Sequence, residues 1–150
     1  MIWQGSVHTN EFWTSIAPFN HSPGFLAITH NRKIIRSGAA GFSSEVRDWS
    51  KYSSKLEKVL LTEDDSFGII LGIDRGLKVY VVSTTDMDKT TEILYRETSR
   101  DPSRRSYQNF SAGLYNEDGK LHLIVGLPVE CSIIRLDITE AVLRFRDDIL

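Results

Sequence analysis

A chain of 150 residues, 41% hydrophobic and 25% charged, can bury a core as a single domain, residues 1–150, without metal or disulfide staples. Its net charge of -2, from 18 cations against 20 anions, excludes an obligate sequence-independent nucleic-acid binder, which carries a clear positive excess. Cys131 is the only cysteine, no cationic apolar leader is present, and no apolar run approaches the ~20 residues of a membrane span, so a cytoplasmic protein without a membrane partner is expected.

Residues 1–23 scatter Trp3, Phe12, Trp13 and Phe19 among polar residues, and Pro18 and Pro23 interrupt regular structure. This reads as an extended arm whose rings pack on the core. A sharper reading puts Trp3 and Trp13 on a partner surface, because Trp is enriched at interface hot spots. Phe25 to His30 and Lys33 to Arg36 read as a hairpin across Asn31-Arg32, with Asn31 taking positive φ. Gly38 to Gly41 is a flexible break and lacks the spacing of a phosphate loop.

Residues 44–60 predict a long amphipathic helix. Ser43 or Ser44 can cap it, Glu45 suits its first turn, and Val46, Trp49, Leu56, Val59 and Leu60 fall on one stripe. Arg47, Lys51, Lys55 and Lys58 then line one flank. Glu63-Asp64-Asp65 is a turn. Phe67 to Ile73 and Leu77 to Ser83 form a hairpin across Asp74-Arg75-Gly76, rich in β-branched residues. Thr90 to Glu97 reads as a strand, and Ser99 to Ser106 as a mobile polar loop.

The strongest local signal spans Asn109 to Leu127. Phe110, Ala112 and Leu114 alternate with polar or small residues, as do Leu121, Leu123 and Val125, on either side of Asn116-Glu117-Asp118-Gly119. That pattern is a hairpin, with Gly119 free to take positive φ. Ser132 to Asp137 is another strand, and Thr139 caps a helix over about 139–148. The expected fold is therefore α+β: about 7–8 strands in antiparallel hairpins, one long helix over about 44–60 and a short C-terminal one. The hairpins from residue 67 to 137 also resemble consecutive propeller blades, although a chain this short cannot close a propeller alone.

No motif demands catalysis. His8, His21, His30 and His122 show no i, i+4 pairing and no C-x-x-C accompanies them, so no metal or other cofactor is expected. His122 reads as a half-buried packing residue inside a strand. Cys131 has no local base to activate it, and no serine stands in a G-x-S-x-G elbow. These absences favour a non-enzymatic module of the inhibitor or immunity-protein kind, acting by stoichiometric complex formation with a protein partner. Its acidic residues Asp64, Asp65, Asp86 and Asp88 would imitate phosphate for a basic partner. An alternative is RNA binding or cleavage, with His30 as acid/base and Arg32, Lys33, Arg100, Arg104 and Arg105 on phosphates. A third reading is a β-rich domain holding a small ligand in an apolar pocket.

Overall fold

The hairpin residues above build strands, and so do several segments that read otherwise. The computed structural model describes residues 12–38, 44–49, 55–73, 76–97, 111–127 and 132–150. Trp3, Arg100, Arg104, Arg105, the mobile-loop expectation and Cys131 lie outside the described residues. Among the described residues eleven strands form three antiparallel meanders. The first is β1 (Trp13–Pro18), β2 (Phe25–Thr29), β3 (Lys33–Ser37) and β4 (Ser44–Asp48). The second is β5 (Lys55–Leu61), β6 (Phe67–Ile73), β7 (Gly76–Ser83) and β8 (Thr90–Glu97). The third is β9 (Ala112–Glu117), β10 (Lys120–Leu127) and β11 (Ser132–Asp137), followed by the helix α1 (Thr139–Ile149).

The expected α+β fold is corrected: the protein is mostly β, and 44–60 holds no long helix. Residues 44–48 and 55–61 are the strands β4 and β5. The misleading feature is a bulge. Leu56 pairs Gly72 and Lys58 pairs Leu71, so one residue of β5 is extra. The extra residue returns Leu56 and Val59 to the same face at a spacing of three, which imitates a helical stripe. Lys55 and Lys58 consequently sit on a strand, and Arg47 sits on β4.

The middle sheet is apolar on both faces. Phe67, Ile69, Leu71, Leu77, Val79 and Val81 face the third sheet, where they meet Leu121, Leu123, Val125 and Leu127. Ile70, Tyr80 and Val82 face the first sheet, with Leu26, Ile28 and Ile34. Burial on two faces explains why β6 and β7 read as nearly unbroken apolar runs. Trp49, directly after β4, is 2% exposed and meets Tyr80 edge-on, with ring centroids 5.4 Å apart. The first strands of the sheets, β1, β5 and β9, are neighbours in space. Three meanders stacked face to face in chain order are the arrangement of successive propeller blades.

Turns and ends differ from expectation in instructive ways. Residues 13–18 form an edge strand rather than an irregular arm, and Pro18 is tolerated at its end. At the β2–β3 turn the positive φ belongs to Arg32 (63°), not Asn31. The β9–β10 turn has Asp118 at φ 52° and Gly119 at φ 77°, the two positive values of a type I′ turn. Thr139 does not cap α1, because the cap position is Ile138. The Thr139 hydroxyl donates to Asp137 Oδ1 (2.6 Å) and accepts the Leu121 N–H (2.7 Å), latching the helix start onto β10.

Candidate functional site: a cleft where loops of three sheets converge

The β5–β6 turn is the hub of one end of the molecule. Asp64 Oδ1 accepts the Ser66 N–H (3.0 Å) and the Thr62 hydroxyl (2.9 Å). Loss of solvent pushes the Asp64 carboxyl up, but these bonds, with Arg146 nearby, outweigh it and leave the pKa below its usual value. Asp65, at φ 63°, accepts the N–H groups of Asn20 and His21, each at 2.7 Å. That pair of bonds clips the β1–β2 loop onto the turn. Thr84, after β7, closes the other side, its N–H and hydroxyl both donating to Ser66 O (3.1 and 3.0 Å).

Beside this hub lies a cleft of about 470 Å³, bounded by the β5–β6 turn, the β9–β10 turn and α1. Its floor is apolar, formed by Phe67, Leu121 and Val142, with Leu143 left 44% exposed. Its rim is polar: His21, Glu63, Asn116 and Arg146. Asn116 Nδ2 donates to Glu63 Oε2 (3.2 Å), and the Arg146 guanidinium lies 5.9 Å from the Phe67 ring centroid. A second cleft of about 370 Å³, lined by Phe19, Arg36, Asp65 and Thr85 among others, shares Asp64 with the first. An apolar floor with convergent polar groups on the rim suits side chains of a bound polypeptide.

Of the residues singled out from the sequence, Asp64 and Asp65 are engaged within the loop hub. Asp88 forms an ion pair with Arg47 (2.8 Å), and Asp86 Oδ1 accepts the Asp88 N–H within the β7–β8 turn. Trp13 is half-buried, edge-on to Phe25 with centroids 6.1 Å apart. His30, Arg32 and Lys33 do share the β2–β3 turn, but His30 Nδ1 accepts the Phe12 N–H (3.1 Å) and so anchors the start of β1. His122 is half-buried as expected and stacks on Tyr115 at 4.9 Å; its Nδ1 is buried without a hydrogen-bond partner among the described residues. Sequence reasoning missed Glu63, Asn116, Leu143 and Arg146 as neighbours. Leu143 alone carried a signal, since it stands off the stripe made by Val142, Phe145 and Ile149. Among the described residues no cluster of His, Cys, Asp or Glu is arranged to hold a metal ion, and no helix is long and apolar enough to cross a membrane.

No family model and no curated protein sequence matches this chain. In fold it is similar to a chain in the complex of the fission yeast SREBP–SCAP binding domains, with a TM-score of 0.54 and 13% identity. The likeness covers 92% of this chain and 36% of that one, so this protein spans about a third of its length. At that identity the resemblance concerns the fold alone.

Proposed function

We propose that the chain is a protein-binding module that acts by stoichiometric complex formation, with the cleft beside the β5–β6 turn as its contact surface. The observation that carries this reading is the convergence of loops from all three sheets around an apolar floor with Leu143 exposed and charges of both signs at the rim. The fold likeness to a chain in a complex of binding domains supports it. An inhibitor or immunity-type role is the finer form of the proposal, in which the partner is an enzyme silenced at one equivalent. The lone cysteine supports a cytoplasmic setting.

The test is capture of the tagged protein from lysate of its source cells, with and without nuclease, followed by native mass spectrometry. A nuclease-resistant one-to-one protein complex, lost in the Leu143→Asp and Arg146→Glu variants, is the expected result. Such a complex buries roughly 1,200–2,000 Å². A complex that survives both substitutions removes the cleft from the interface, and a nuclease-sensitive mass transfers the reading to RNA.

A further inference from the structure

Among the described residues the first two sheets have four strands each and the third has three. Among the described residues its outer strand, β11, pairs on one side only, with β10. Two hydrogen bonds set the direction of the β11 backbone. The Ile138 N–H donates to Leu121 O (3.0 Å), one step beyond the His122–Asp137 pair. The Gly126 N–H donates the other way, to Ser111 O beside β9 (2.8 Å). Residues of an antiparallel pair alternate between bonding their neighbour and facing away from it. Ser132, Ile134 and Leu136 therefore bond β10, and the N–H and C=O groups of Ile133, Arg135 and Asp137 face the open edge.

Among the described residues β11 has no bulge and no proline; its guards are the charged side chains of Arg135 and Asp137, and the Arg135 guanidinium donates to the Tyr115 hydroxyl (3.3 Å). Natural edge strands are guarded by bulges, prolines, charged side chains or short length. The edge strand β1 has a bulge and ends on Pro18, β5 is bulged beside Leu56, and the β7–β8 register slips at Val79/Tyr80. The β10–β11 register is unbroken over six residues and contains no proline. Ile134 and Leu136 lean on the core between the second and third sheets but stay only half-buried. In the second sheet the fourth strand supplies Ile93 to that same core. On the outer face Ile133 is 78% exposed, beside exposed Arg135 and Asp137.

We propose that β11 is a docking edge for an extended strand of a partner protein, added antiparallel as the fourth strand of the third sheet. Main-chain bonds to Ile133, Arg135 and Asp137 hold the strand, and its side chains set the preference. From its N-terminus it presents a basic residue to Asp137, an acidic one to Arg135 and an aliphatic one to Ile133. The two residues between are apolar and extend the layer of Leu136 and Ile134. This edge is a different surface from the cleft.

The probe is a synthetic capped peptide, Thr-Lys-Val-Glu-Val-Val-Thr, added to the full chain and followed by amide hydrogen exchange. Exchange at Ile133, Arg135 and Asp137 is expected to slow at least tenfold at millimolar peptide, with Ile134 and Leu136 changing little. A peptide with Lys and Glu exchanged should bind several-fold more weakly, since cross-strand charge pairs act locally. The Arg135→Glu variant should narrow or reverse that preference, and proline in place of the peptide Glu should abolish protection. No slowing at the three amides, or indifference to both charge changes, overturns the proposal. So does protection that appears without peptide and grows with protein concentration, which would give the edge to a second copy of the chain.

Discussion

Gly68 of the second sheet packs against Leu26 of the first: a Cβ added to Gly68 would stand 2.5 Å from Leu26 Cδ2 and 2.9 Å from Val82 Cγ1. Both neighbours are buried, Leu26 and Val82 at 0% exposure. The position has no room for a methyl group. Gly68→Ala should cost about 1–3 kcal/mol through overpacking, despite the gain in backbone rigidity. Chemical denaturation checks this, and Leu26→Ala in the same chain should give a combined loss smaller than the sum of the two singles.

Trp49 belongs to the same layer and packs edge-on against Tyr80. Trp49→Ala should cost about 3–5 kcal/mol, because a cavity replaces a buried ring. Trp13→Ala, at a half-buried edge position, should cost clearly less. Equilibrium unfolding of the two variants ranks them, and an equal loss would contradict the burial argument.

Asp65 predicts the acid side of the stability profile. Loss of solvent pushes its carboxyl up, but the backbone N–H groups of Asn20 and His21, with the His21 charge, win and hold the pKa below the usual value. A lowered folded pKa means that the folded state binds the proton less well than the unfolded chain does. The contribution is therefore present above pH ~4 and lost as pH falls through the folded value. Asp65→Asn should flatten the acid limb below that pH. Denaturation midpoints between pH 2 and 6 measure it.

Glu57 acts with the opposite sign. Burial raises its pKa, offset in part by Lys55, whose Nζ lies 3.6 Å from Oε1. The folded state then holds the proton more tightly than the unfolded chain. Stability falls as pH rises from the ordinary glutamate value through the raised one. Glu57→Gln should remove this loss and leave the protein at least as stable as the parent at pH 7. A thermal-unfolding series from pH 4 to 8 decides between that outcome and a dominant ion pair with Lys55.

The strands at Phe25, Phe67, Leu77, Leu121 and Ser132 were legible in the sequence because their reason is local. Alternation of apolar residues, β-branching and an Asp-Gly turn act within a few positions. The short terminal helix has the same origin. The sequence alone also located the turn residues Asp64 and Asp65, but not what they bind.

Only the tertiary structure decided the rest. The stretch from 44 to 60 has a helical spacing, and it became two strands because a bulge places Leu56 and Val59 on one face against the first sheet. β1 formed because β2 and β5 cover it, although Pro18 and scattered rings argue locally for an irregular arm. The cleft draws on residues separated by more than a hundred positions, from His21 to Arg146. No local pattern marks such neighbours, because they meet only when three sheets stack and their loops arrive at the same end. The one-sided pairing of β11 among the described residues is likewise a property of the assembly: a strand is an edge only by virtue of what fails to pair beside it.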